Sequence, residues 1–264
     1  MSDPGPGRHA GDPPFPAPPA DHPAEARRFD GAAGPLRVVS LVPSLTEAVA
    51  ATAPATLVGA TDWCTHPADL DVTRIGGTKW PDVAAVIALE PDLVLANQEE
   101  NREEDVLALR AAGLRVHVTY PRTVPDALDA LADICVLLDS PDPEWLRTAR
   151  AAWDFSPPPA RRVAVPIWRK PWMWVGDDTF AADVLARLGF PTVHSGRYPK
   201  KSVKETTALE PDIIVFPDEP YAFHPGDGPE AFPEFRAAFV SGRHLTWYGP
   251  SLAEAPTVLT DQLG

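Results

Sequence analysis

The residues best suited to chemistry lie in one short stretch, Asp62-Trp-Cys-Thr-His66, where a thiol and an imidazole stand two apart. Both groups bind soft or borderline metals, and a thiolate of low pKa is also a nucleophile. A closed metal site needs further ligands, for which Glu99, His194 and His224 are available without motif spacing. Cys64 and His66 therefore read first as structural or ligand-contact residues, with metal ligation as the weaker alternative. Other reactive constellations are missing from the sequence. It has no G-x-S-x-G elbow, no G-x-x-x-x-G-K-[ST] phosphate loop and no G-x-G-x-x-G dinucleotide turn. Glu99, Glu100, Glu103 and Glu104 are neighbouring carboxylates, but an acid-rich helix start explains them through the helix dipole. Ser44 opens Ser44-Leu-Thr-Glu47, the spacing of a capping box, so it reads as an N-cap rather than a nucleophile, and its place just after a strand also makes it a candidate ligand contact. With only 2 cysteines no disulfide framework is being built, and Cys135, in an apolar helical pattern, reads as a small buried hydrophobe.

What the sequence supplies instead is aromatic surface just after its strands. Trp63 follows one strand, Trp168, Trp172 and Trp174 another, and Tyr198, Tyr221, Trp247 and Tyr248 stand at comparable places, with Asn97 to Asn101 and Glu219 beside them. Trp and Tyr lining a cleft give rigid, amphipathic contact to a flat or bulky ligand. The expectation is a binding protein that closes on its ligand without doing chemistry on it. Trp145 and Trp153 belong to packing.

The elements that must position these residues form two similar sets. Leu36-Arg-Val-Val-Ser-Leu-Val42 reads as a strand, a helix from Leu45 to Ala53 stops at Pro54, and Thr56-Leu-Val-Gly-Ala60 reads as a second strand, a βαβ unit with a parallel sheet. Ala88-Leu-Glu-Pro-Asp-Leu-Val-Leu95 recurs as Ala208-Leu-Glu-Pro-Asp-Ile-Ile-Val215, in each case a helix end stopped by proline before an apolar strand. The second half opens with Arg162-Val-Ala-Val-Pro166, then a helix over Asp178 to Leu188 and a strand at Pro191-Thr-Val193. Between the halves, Asp126 to Leu138 and Glu144 to Trp153 read as helices. The fold expected is α/β, two Rossmann-like lobes joined by a helical connector, with a ligand cleft between the strand ends of the two lobes. The boundaries are a disordered proline-rich segment over 1–35, lobes over 36–125 and 160–264, and a connector over 126–159.

Composition agrees with a folded chain: 44% hydrophobic and 23% charged residues suit a globular protein, while nine of the 33 prolines fall before residue 36. A net charge of -14 and a pI near 4.8 would repel nucleic acid and anionic lipid. No apolar run is long enough for membrane insertion and none forms a secretory signal. As written, the sequence predicts a cytoplasmic monomer, or an extracytoplasmic protein if its start is misassigned, with no cofactor required.

Val38 to Glu47, Val58-Gly-Ala-Thr-Asp-Trp-Cys-Thr-His-Pro67, Gly76-Gly-Thr-Lys-Trp-Pro81 and Leu89-Glu-Pro-Asp-Leu-Val94 together resemble the helical-backbone (class III) substrate-binding proteins of ABC importers for cobalamin, ferric siderophores and haem. The cobalamin-binding branch is the nearest, through Trp247-Tyr-Gly-Pro-Ser-Leu252. The resemblance implies a bound cobalamin or other metal chelate, with Trp63 and Trp80 against the corrin and Tyr198 standing where the branch carries a tryptophan. It also implies a permease partner that each lobe meets through a glutamate. Ala84 and Lys204 occupy those positions, Glu205 is one residue away, and lobe one offers nothing better than Asp82. The readings that compete with a chelate-binding protein apart from transport are an importer receptor with a hidden export route, and an enzyme acting on a metal chelate through Cys64, His66 and Glu99.

Overall fold

The computed structural model describes residues 35–155 and 161–264. The segment before Pro35 and the break at Ser156-Pro-Pro-Pro159 lie outside the described residues.

The first half runs β1 (Val38–Ser40), α1 (Pro43–Thr52), β2 (Leu57–Ala60), β3 (Thr73–Arg74), α2 (Val83–Ala88), β4 (Leu93–Asn97), α3 (Glu103–Ala111) and β5 (Val116–Thr119). The sheet order is β3-β2-β1-β4-β5, and every pairing is parallel. β1 and β4 are buried at every position, the mark of central strands covered on both faces. The order reverses between β1 and β4, so a crevice opens beyond their carboxyl ends. One expectation fails here. The helix starts at Pro43 with Val42 as N-cap, two residues ahead of Leu45, because proline is already set for the first helical position. Ser44 is then inside the first turn, and Glu47 pairs with Arg243 instead of closing a capping box.

Two helices connect the halves, α4 (Val124–Leu137) and α5 (Glu144–Ala152). Thr123 and Asp126 form a full capping box at the start of α4. Trp145 donates to Thr52 Oγ1 at 3.0 Å and buried Trp153 donates to the Leu252 carbonyl at 3.0 Å, so both tryptophans fix the connector.

The second half contains β6 (Val163–Ala164), a hairpin of β7 (Pro166–Trp168) and β8 (Met173–Trp174), α6 (Phe180–Arg187), α7 (Val203–Thr207), β9 (Ile213–Pro217), β10 (Arg236–Val240), α8 (Gly242–Thr246) and α9 (Ala255–Leu263). Its parallel sheet has the order β10-β9-β6, and the strand expected at Pro191-Thr-Val193 is reduced to one parallel bridge, Thr192 to Val163, on the free side of β6. That bridge occupies the place that β2 holds beside β1, so both halves share one plan.

The repeated motif explains its own recurrence. Glu90 and Glu210, each before a proline that bars right-handed helix, leave their helices through positive φ angles of 45° and 50°. The next residue but one locks onto the neighbouring strand. Arg37 N donates to Asp92 Oδ2 at 2.8 Å and Arg162 N to Asp212 Oδ2 at 2.6 Å. The same arginines donate through Nη2 to the carbonyls of Leu89 (2.8 Å) and Leu209 (2.6 Å). A continuous apolar core joins lobe one, the connector and much of lobe two, while a second cluster around Trp174, Phe216, Phe223 and Phe232 sits under the hairpin.

Candidate functional site

β2 runs directly into the loop Thr61 to Leu70, which is pinned from inside. Arg74 Nη1 donates to the carbonyls of Thr61 (3.0 Å) and Cys64 (2.9 Å), and its Nη2 donates to Leu70 O (3.2 Å). Thr46 Oγ1 donates to Cys64 Sγ at 3.0 Å, and Thr61 Oγ1 lies 3.2 Å from the same sulfur. Burial pushes the Cys64 thiol up, outweighing those hydrogen bonds. A buried thiol held protonated is a poor nucleophile and a poor metal ligand, so this placement turns Cys64 into the anchor of the loop. Among the described residues no group of three or more His, Cys, Asp and Glu is gathered to hold a metal ion. The loop presents outward Trp63, 69% exposed, and His66, whose ring meets Trp247 edge-on at 5.4 Å. Trp80, 65% exposed, lies beside Arg102 at 5.7 Å.

The end of β4 positions a carboxylate. Asn97 Oδ1 accepts from the backbone N–H groups of Glu99 (2.8 Å) and Glu100 (3.1 Å), while Asn101 Oδ1 accepts from Asn97 N (2.9 Å). This turn precedes α3, whose first turn holds Glu103, Glu104 and Asp105, so the dipole argument covers those acids and not Glu99. Glu99 instead reaches the other half. Arg197 donates to Glu99 Oε1 through Nε (2.8 Å) and Nη2 (2.6 Å), lies over the Tyr120 ring at 4.6 Å, and Tyr198 OH is 3.4 Å from Glu99 Oε2. Solvent reaches Glu100 and Tyr198, yet protein surrounds both closely enough for desolvation to raise their pKa values, as befits walls of a cleft.

In the second half, Trp168 is 46% exposed and stands edge-on to Tyr221 at 5.4 Å. Trp172, half-buried, stacks against Trp174 and Phe223 and carries Arg169 at 5.0 Å over its ring. Arg169 in turn pairs with Asp227 and Glu230, and Tyr221 donates to Asp227 at 2.6 Å, which orders this rim. Two aromatic residues expected on the cleft surface lie inside instead. Trp174 is wholly buried and donates to Lys201 O at 2.9 Å. Buried Tyr248 takes an Asn97 Nδ2 hydrogen bond at 2.6 Å and sits 2.8 Å from Thr119 Oγ1, tying the second half to the ends of β4 and β5. Ser44 is also buried, its carbonyl packed against Gly249. Glu219, hydrogen-bonded by Trp247, is pushed up to about 7, mostly by burial and then by the charge of Asp218, and its Oε1 is buried without a hydrogen-bond partner.

No family model matches the sequence. Similar curated proteins are the vitamin B12-binding proteins of Salmonella typhi, 24% identical over 192 residues (68% of this chain, 71% of that one), and of Photorhabdus laumondii subsp. laumondii, 24% identical over 200 residues (69% and 71%). Among solved structures, the periplasmic haem-binding protein BhuT in complex with two haems superposes with a TM-score of 0.74 at 22% identity, covering 87% of this chain and 98% of that one. The periplasmic vitamin B12-binding protein BtuF of Vibrio cholerae gives 0.71 at 19% identity, covering 86% and 96%. The chain shares the two-lobed fold of these periplasmic binding proteins. Within that fold, Arg197 bridges the two halves through Glu99 and is a residue that sequence reasoning misses. Its only signal is a lone arginine in Gly196-Arg-Tyr-Pro-Lys200, overshadowed by the aromatic neighbour Tyr198.

Proposed function

We propose that this class III chain is a non-catalytic binding protein for a flat metal chelate or macrocycle of the corrinoid, haem or siderophore type, held between the two lobes. One observation carries the reading: Trp63 and Trp80 stand 69% and 65% exposed at the mouth of the parallel sheet. Indole rings left in water beyond the carboxyl ends of a sheet's strands cost hydration without packing gain, and a planar ligand recovers that loss by stacking. Trp168 with Tyr221 supplies aromatic surface on the opposite lobe. The buried, protonated Cys64 weighs against an enzyme acting on the chelate. The curated relatives are named for binding vitamin B12 and BhuT for haem, and both names agree with such a ligand. Titration with a corrinoid, a haem or a ferric siderophore is expected to quench tryptophan fluorescence, and Trp63→Ala with Trp80→Ala to remove most of that signal. Absence of quenching by all three ligand types would sink the reading.

A further inference from the structure

We infer that the cleft selects against macrocycles carrying peripheral carboxylates and takes those decorated with neutral amide groups, an inference that rests on the chelate-binding reading above. The residue that decides it is Arg197. A guanidinium is the usual receiver of a ligand carboxylate, through paired N–H donors. Here its Nε and Nη2 are both committed to Glu99 Oε1, at 2.8 and 2.6 Å, and its face lies 4.6 Å from Tyr120. The backbone that carries Glu99 is held from behind, by its own N–H on Asn97 Oδ1 and by Lys79 Nζ on its carbonyl. A ligand carboxylate arriving at Arg197 would have to share it with Glu99, with Glu100 next in sequence. Like charges at such range disfavour the complex.

A second acidic group, Glu219 after β9, bears on the same question. Glu219 Oε1 is buried and has no hydrogen-bond donor, and Glu219 feels the charges of Asp218 and Glu100. The Glu219 carboxyl adds an acidic group beside Asp218 on the second half, which a ligand carboxylate meets unfavourably and a neutral amide does not. Amide N–H groups can bond to the carboxylates of Glu99 and Glu100, whereas carboxylates on the ligand are repelled by them. Both sides of the cleft therefore present carboxylates, and the arginine that bridges them is already paired with one of them.

The test compares one porphyrin dicarboxylate with its dimethyl ester, so that ring and metal are constant and only the charge changes, and uses cyanocobalamin as the amide-bearing probe. Fluorescence titrations are made on the wild-type chain and on Glu99→Gln. The wild type is expected to bind the diester at least as tightly as the diacid, and cyanocobalamin more tightly than either. In Glu99→Gln the Arg197 charge is no longer neutralised, so the diacid should gain about ten-fold over the diester, a shift readily resolved in Kd. Cyanocobalamin affinity should change by less than that. A wild type that prefers the diacid, or a variant whose preference is unchanged while cyanocobalamin still binds, overturns the inference alone. No quenching by any of these three probes in either protein overturns this inference, and no quenching by a ferric siderophore as well overturns the chelate-binding reading with it.

Discussion

Glu219 shows how a single buried carboxyl couples the cleft to pH. Its pKa in the folded chain is pushed up to about 7, first by burial, then by Asp218. In the unfolded chain a glutamate titrates near 4.3, so between these values the folded state holds a proton that the unfolded state has lost. Stability must then fall as pH rises through that window and level off above it, by an amount on the order of 2 kcal/mol once partial solvent access is discounted. Glu219→Gln removes the titration, keeps a group that can accept from Trp247, and adds a donor for its surroundings. Thermal unfolding from pH 4.5 to 8.5 should show the wild type losing stability relative to the variant as pH rises; parallel curves would show that Glu219 titrates normally. At this scale the sequence was only partly legible. Trp63 and Trp168 are expected at the surface because they follow strands, Trp80 because the resemblance implies it, and all three are exposed. Trp174 is misread because it alternates with Trp172 in a short hairpin, and which of the two turns inward depends on Phe216 and Phe232, which come from distant strands and loops. Arg197 and the anchoring role of Cys64 depend on partners far away in sequence, which no local spacing encodes.

At the scale of elements, the repeat was the most informative signal, and its physical content is a lock between a helix end and a strand. Proline forces the turn, the aspartate receives the N–H of the arginine before the neighbouring strand, and that arginine's side chain returns to the carbonyl ahead of the turn. The lock sits between β1 and β4 in one lobe and between β6 and β9 in the other, which is why the motif marks the sheet's centre in both. Arg37→Ala and Arg162→Ala should each destabilise the chain by about 1 kcal/mol, since each removes side-chain donors while leaving the backbone bonds to aspartate intact. The two effects should be close to additive in denaturant unfolding, because the clamps share no partners. A strongly sub-additive double variant would mean that the two clamps are coupled through the shared core. Element boundaries were less legible than element order. Pro43 reads equally well as a helix breaker or as the first helical residue, and the strand at Pro191 to Val193 shrinks to a bridge because hairpin β7 and β8 takes up the neighbouring edge.

For the whole molecule, the shared plan of the lobes makes α2 and α7 equivalent, and this equivalence bears on how the protein meets a partner. Each is a short helix leading into the repeated turn, capped by Asp82 in one lobe and by Ser202 in the other. Ala84 and Lys204 are the second helical residues and both are exposed, so they form corresponding points on the two lobes. Glu205, the nearest acid in lobe two, is already engaged: its carboxylate accepts from Ser202 N and Oγ at 2.8 Å, which holds its pKa down at about 2, and lies 3.2 Å from Lys201. If a permease presents arginines to these points, as the resemblance to importer receptors implies, this surface offers it one neutral residue and one like charge. Losing an opposing partner in a desolvated pair costs about 2 to 5 kcal/mol, and a lysine facing an arginine adds repulsion. Association with a reconstituted cobalamin or siderophore permease should therefore be weak, and stimulation of its ATPase slight, even with ligand present. The double variant Ala84→Glu with Lys204→Glu should fold normally, because an acid in the first turn of a helix is favoured by the dipole. It should bind the permease measurably more tightly in a pull-down or surface-binding assay, with the gain shrinking as salt is raised. Tight docking of the unaltered chain would show that other residues carry the contact and that these two positions do not govern it.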